Sequence, residues 1–410
     1  MLTLEEALTR LLQAVRPLAE AERVATFDAL SRVLAEPVAS LLDVPPEDNT
    51  SMDGYALRVV DVPAPGSVLP VAQRIPAGSV GAPLAAGTAA RVFTGAQIPP
   101  GADAVVMQEQ CTPQADGVVR VDTVPEPGQW IRRRGEDVRR DSVVLPAGTR
   151  LTPQALGLAA SVGAATLAVA RRPRVALFST GDELVMPGEP LRPGAIYNSN
   201  RYTLRGLLQA LGCECTDLGI VPDSLDATRA ALRSAAGKSD LIVTSGGVSV
   251  GEEDHLRPAV RAEGSLDLWQ VAIKPGKPLA FGSVRRAGEE EGGGSAWFVG
   301  LPGNPVSSFV TFLLAVRPLL LRLQGADPAP ALPQPLVVRA DFDWPRPDRR
   351  REFLRVRRNA EGALELFANQ SSAVLTSAVW GDGVADIAPG QAVRRGDGVR
   401  YLSFADLLGA

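Results

Sequence analysis

The sequence predicts a multi-domain chain of mixed α/β and β class, centred on a doubly wound α/β domain, and three observations carry that prediction. From Arg174 onward, apolar strand-like runs alternate with amphipathic helical stretches, as a parallel sheet with crossover helices requires. Between Asp48 and about Val144 the texture changes to short β-like runs broken by Gly and Pro. At 410 residues the chain also exceeds what one compact core supports, so roughly two to four units are expected.

Taken in order, the first segment, Leu4 to about Ser40, has helical periodicity. Leu8, Leu11, Leu12, Val15 and Leu18 share one face, and Phe27, Leu30, Val33 and Leu34 continue it until Pro45-Pro46. Thr152 to Val162 reads as a helix with a capping Thr and Pro153 in its first turn, expected to pack back on those helices. The expected units are therefore a helical linker (1–47 with 145–173), an inserted β domain (48–144), a doubly wound α/β domain (174–325) and a C-terminal β domain (336–410). In the α/β unit VALFSTG (175–181), CTDLGIV (215–221), DLIVTSGG (240–247) and WQVAIKPG (269–276) read as strands. Asn200–Leu211, Ser224–Ala236 and the strongly apolar Asn304–Leu323 read as helices, and ADPAPALPQP (326–335) as a linker.

Composition removes several function classes. Forty-two basic against 46 acidic residues give a net charge of -4, which argues against nucleic acid or a membrane surface as partner. Three cysteines, Cys111, Cys213 and Cys215, cannot build a disulfide framework, and a single histidine, His255, excludes a multi-histidine metal site. The start is acidic and amphipathic rather than a signal peptide, so a cytoplasmic location is expected. Only three residues are lysine (Lys238, Lys274 and Lys277), and two of them stand within four positions, where a compact ammonium is wanted or chance has placed them.

In open α/β sheets ligands bind beyond the carboxyl ends of the strands, and four loops there are rich in Gly and polar groups. They are Ser179–Glu183, Val221–Asp223, Ser245–Asp254 (with Gly246, Gly247 and Ser249) and Leu301–Ser308 (with Pro302 and Pro305). Glycines at such turns let backbone N–H groups approach an anion, although any one of these loops reads equally well as a tight turn. Glu183, Asp223 and Asp254 could hold a hard divalent cation; singly, each reads as a helix N-terminal acid. Lys274 and Lys277 bracket Pro275-Gly276 and could present two ammonium groups to an anion. In the β insertion Asp48–Ala56, Arg91–Ala96 and Arg134–Val138 form a second polar set, whose residue types also suit plain turns.

In this order DNTSMDGYA, RVFTGAQIPPGADAVV, RRGEDV, STGDEL, SGGVSVGEEDH, KPGKP and LPGNPVSS resemble the molybdopterin molybdenumtransferase family, which includes MoeA and the E domain of gephyrin. The resemblance implies that the 174–325 unit is a molybdopterin-binding domain. It implies insertion of molybdate into adenylylated molybdopterin with release of AMP, and Mg²⁺ as cofactor. It also implies a homodimer whose active site joins the α/β domain of one subunit to the β insertion of the other. Carried over by motif, the catalytic residues are Asp53, Thr94, Asp137, Glu183, Asp223 and Asp254, the last three also as metal ligands. Substrate-binding residues by the same route are Ser245, Gly246, Gly247, Ser249, Lys274, Lys277, Pro302 and Pro305, and in the last domain Arg351 and Ser372. Small-molecule substrates and contact with upstream molybdopterin-synthesis proteins are implied, with neither nucleic acid nor membrane. Two rivals remain: a molybdopterin adenylyltransferase of the same fold, which lacks the β insertion, and a non-catalytic dimeric scaffold, which could lose the acidic residues and lysines retained here.

Overall fold

The computed structural model describes residues 1–247, 255–286, 294–326 and 331–408. Its largest sheet runs in the order Glu214–Val221, Arg174–Thr180, Leu241–Ser245, Ser295–Leu301, Pro278–Arg285, Gly264–Gln270. The first four strands are mutually parallel and the last two antiparallel. The central strands read as unbroken apolar runs because both faces are covered. One face packs under Leu225–Ala236 and Leu256–Glu263. The other packs under Ser199–Ala210 and the long helix Pro305–Leu323. That long helix is apolar enough to cross a membrane, but 83% of its window is buried in this core. Pro318 lacks an N–H and crowds the carbonyl of Leu314, and the helix widens to a π segment at Phe312–Val316.

Two expectations fail in the first 173 residues. The helix Leu4–Ala14, capped by Thr3 with Glu6, ends at Val15, and Phe27 and Leu30 are exposed rather than on a buried stripe. Beyond that helix the chain is largely extended: Ala21–Ala25 pairs with Thr166–Ala170, and Val38–Ala39 with Val143–Leu145. A partner far along the chain outweighs local periodicity. Nor does Pro153–Ser161 pack on the first helix. It joins Ala29, Leu34, Val38, Leu145 and Leu151 in a small core, while Leu4, Leu8 and Leu11 insert into the α/β core beside Leu313 and Leu320.

The β insertion carries a six-stranded sheet in the order Ala104–Met107, Gly54–Leu57, Ala89–Val92, Ser67–Ile75, Val118–Val121, Cys111–Pro113. The C-terminal unit is a sheet of Leu336–Arg339, Gly398–Ser403, Gly383–Ile387 and Arg351–Arg358, with Leu364–Leu366 on the last strand. The run read as one strand, 269–276, is divided. Gly264–Gln270 closes the α/β sheet, whereas Ile273–Lys274 adds in parallel to the C-terminal sheet, with Ile273 opposite Arg351 and Lys274 opposite Glu352.

Candidate active site

The loops leaving the parallel strands enclose one cleft of about 1130 Å³. Glu183, Asp223, Ser245, Gly246, Gly247, Lys274, Lys277, Pro302 and Pro305 all line it. Four loops separated by up to 122 positions in sequence (183 to 305) therefore converge, as the strand-end rule anticipates. Ser249 and Asp254 lie outside the described residues.

Backbone conformation and close packing dictate the glycines. At Gly181 the constraint is the backbone, whose φ of +143° side-chain-bearing residues rarely adopt. At Gly247, φ +67°, a Cβ would meet Leu256 at 2.9 Å and the Thr180 hydroxyl at 3.0 Å. The double glycine offers less to a phosphate than expected, because the Gly246 N–H donates to the Leu301 carbonyl at 3.1 Å. The Ser245 hydroxyl is buried against that of Ser179 at 3.0 Å. On the facing wall the Asn200 amide donates to the Gly303 carbonyl at 2.7 Å and ties the start of the helix Ser199–Ala210 to the loop before the long helix.

The lysines are not equivalent. Lys274 donates to Glu352 Oε1 at 3.0 Å and lies 3.6 Å from Asp348, whereas Lys277 has no ion pair among the described residues. A third cation, Arg350, lines the same cleft and is clamped on Asp348 at 2.9 and 3.1 Å. That guanidinium holds the Asp348 carboxyl well below the usual carboxylate range, with burial opposing and a backbone N–H and Lys274 assisting. The family resemblance marks Arg351, the neighbour of Arg350, which is not in this lining. Arg351 forms a fork with buried Asp386 at 2.5 and 2.7 Å, with Glu5 beside it. Three successive arginines, 349–351, carry no sequence signal for the choice. Ser372 does line the cleft, with Gln370 and Ser371. Its carbonyl accepts from Val306 N at 3.0 Å at the start of the long helix. Gln370 is fixed by bonds to Arg355, so the loop is part of the built wall.

Asp53, Thr94 and Asp137 are not in this lining. On the β insertion, Asp53 Oδ1 accepts from both the Thr94 N–H and its hydroxyl at 2.7 Å. Those bonds, backbone first, lower the Asp53 pKa. The neighbouring Arg91 stacks on Tyr55 and Phe93, and Arg74 also lies over the Phe93 ring. Asp137 stands in the ribbon joining the insertion to the linker, its N–H donating to the Val44 carbonyl. Among the described residues no three His, Cys, Asp or Glu side chains gather as a metal cage. His255 occupies a helix N-cap position without a side-chain cap bond.

A doubly wound sheet, a strand-end cleft and a mixed set of cations and carboxylates define an α/β domain with a polar small-molecule cleft. Family models narrow the class: residues 2–163 match the MoeA N-terminal region (domain I and II), 176–322 a probable molybdopterin binding domain, and 337–404 the MoeA C-terminal region (domain IV). A molybdopterin molybdenumtransferase of Haemophilus influenzae is 44% identical over 79% of this chain and 78% of its own. One from Nostoc is 39% identical over 75% of this chain and 70% of its own. The solved molybdopterin biosynthesis moeA protein of Pyrococcus horikoshii superposes with TM-score 0.82 at 29% identity, covering 98% of this chain and 100% of that one. The chain belongs to the molybdopterin molybdenumtransferase family.

Proposed function

We propose that the cleft takes adenylylated molybdopterin and molybdate, and that the phosphoanhydride is cleaved to release AMP as molybdenum enters the pterin. The chain is an enzyme of molybdenum cofactor biosynthesis, a molybdenumtransferase. The observation that carries the finer reading is the convergence of Lys274, Lys277 and Arg350 with Glu183 and Asp223 on one cleft. Both substrates are anions, and ammonium and guanidinium groups bind oxyanions through charge-assisted hydrogen bonds. Lys277, without an ion-pair partner among the described residues, is the lysine with most freedom to grip molybdate. Cleavage of the anhydride needs charge neutralised more than it needs a covalent nucleophile, consistent with a cleft whose described lining holds no His or Cys.

The donor set suits Mg²⁺. Glu183 and Asp223 offer oxygen ligands, and this ion is commonly held by one or two carboxylates together with substrate phosphates. When bound it would neutralise charge on the phosphoanhydride oxygens. Asp254 is the third carboxylate expected there.

A second copy of the chain is proposed to complete the site with Asp53, Thr94 and Asp137. The linker unit exposes Phe27, Leu30 and Leu41, apolar side chains that a second copy could cover. A cytoplasmic location and delivery of the substrate by upstream molybdopterin-synthesis proteins belong to the same reading. The test is AMP release from adenylylated molybdopterin with and without molybdate, in Asp53→Ala, in Glu183→Gln, and in their mixture. Each variant alone should be impaired, and mixing should restore activity, because one of two sites is rebuilt from healthy halves. No recovery, with subunit exchange verified, would sink the shared site.

A further inference from the structure

We propose that Glu352, in the C-terminal unit, is a positioning residue for Lys274 and fixes the direction in which that ammonium meets the incoming oxyanion. The inference rests on the reading of the cleft as a site for molybdate and adenylylated molybdopterin. Glu352 is 1% exposed, too buried to touch substrate. Its Oε2 is anchored twice, accepting from Trp344 Nε1 at 2.9 Å and from the Asp348 N–H at 3.0 Å. With one oxygen held from two sides, the other has a fixed aim, and it lies 3.0 Å from Lys274 Nζ.

The backbone enforces the same pairing. Ile273–Lys274 leaves the α/β sheet to join the C-terminal sheet in parallel, with Lys274 directly opposite Glu352. A buried carboxylate requires a partner, and a lysine on a flexible four-carbon stem gains a direction only from one. An ammonium has three donors, so one engaged by Glu352 leaves two for the cleft. The same segment supplies Asp348, which clamps Arg350. Residues Trp344–Glu352 thus set two of the three cations in the lining. The C-terminal unit then acts on the reaction partly through a residue that never meets substrate.

The test reads the molybdate dependence of AMP release. In Glu352→Gln one end of the side chain becomes an NH₂ donor, so it cannot accept from Lys274 and from both Trp344 and Asp348. Half-saturating molybdate should rise about tenfold, the scale of one weakened charge-assisted contact, with kcat changed far less. Glu352→Asp should recover part of the loss. Trp344→Phe keeps the charge but removes one anchor, and should shift the same parameter by a smaller factor; it carries the test if Glu352→Gln does not fold. In a Lys274→Ala background, Glu352→Gln should add nothing further to the molybdate requirement. Folded variants with wild-type molybdate dependence, or effects that multiply in the Lys274→Ala background, would overturn the proposal. A wild-type chain that releases no AMP with molybdate would instead overturn the reading of the cleft.

Discussion

The loop between the two lysines allows a prediction with its magnitude worked from contacts. Gly276 has φ +110°, and a Cβ there would stand 2.2 Å from Thr311 Oγ1 on the long helix, with Ile273 and the Ser307 carbonyl at 3.4 and 3.5 Å. Gly276→Ala therefore has two separable costs. A left-handed backbone costs a residue with a Cβ about 1–2 kcal/mol, and forcing an extra methyl into a packed site about 1–3 kcal/mol. The sum is roughly 2–5 kcal/mol. Thr311→Ala separates them, because Thr311 is buried and its hydroxyl has no hydrogen-bond partner among the described residues. Alone it should cost about 1 kcal/mol, for a lost buried methyl. In the double variant the new methyl fills the space vacated, so the steric part disappears and only the backbone strain remains. The coupling between the two substitutions should then be favourable by about 1–3 kcal/mol.

Urea unfolding followed by tryptophan fluorescence suits the measurement. Trp269 and Trp297 flank Phe281 in the neighbouring sheet at centroid distances of 5.4 and 5.3 Å and report on that unit. The molybdate requirement for AMP release should rise in Gly276→Ala, whose loop is pushed off the helix, and fall back in the double variant. A single variant with an unchanged midpoint, or strictly additive costs in the double, would refute the steric argument.

Two further outcomes rest on other contacts. Lys277→Arg and Lys274→Arg should each raise the molybdate concentration needed for half-maximal insertion, since a planar guanidinium displaces a small tetrahedral anion. Lys238→Arg, in the exposed turn between Leu225–Ala236 and Leu241–Ser245, should be silent; equal behaviour of all three would remove the lysines from the oxyanion site. The second outcome concerns Asp240 at the opposite edge of the sheet. Burial raises its pKa, but the Arg171 fork at 2.7 and 2.8 Å and the Arg174 N–H outweigh it and leave the group below its ordinary 3.8. A depressed folded pKa gives stability that is present above the unfolded value and lost as pH falls through the folded one. Asp240→Asn should therefore lower stability at neutral pH and flatten its decline below about pH 4, measured as denaturation midpoint against pH; an unchanged acid limb would contradict this.

What the sequence makes legible is the half of the site built by strand ends. Glycine-rich turns after apolar runs are short-range signals, and a parallel sheet collects such turns on one edge whatever their separation along the chain. Glu183, Asp223 and the Gly246-Gly247 turn come together for that reason, whereas Lys274 reaches the cleft from the edge of the C-terminal sheet. The linker departs from its helical pattern because Phe27 and Leu30 continue that spacing by coincidence, whereas Ala21–Ala25 is held by residues about 145 positions away. Periodicity carries no information about a partner at that distance. Arg350 escapes sequence reading for a related reason. In Asp348-Arg349-Arg350-Arg351-Glu352 adjacent side chains diverge, so a register of one residue decides which arginine meets the cleft and which meets Asp386. That register is fixed by pairings distant in sequence, with Gly383–Ile387 on one side and Ile273–Lys274 on the other.

That pairing also bears on why the C-terminal unit is attached at all. The α/β unit supplies the cleft floor, its glycine turns and both carboxylates without help. Left alone, it would present Lys274 on a two-residue extension with no sheet to hold it. The C-terminal sheet adopts that extension as its edge strand, and the Gln370–Ser372 loop caps the long helix through Val306. One short strand therefore fastens two units and aims a lysine in the same contact. A substitution that loosens the seam should then change oxyanion use before it unfolds either unit. By contrast Asp53 and Thr94 are rigidly bonded to each other yet outside the cleft lining, so only a second chain or a large rotation of the insertion could bring them to it. Recovery of AMP release on mixing Asp53→Ala with Glu183→Gln would select the second chain.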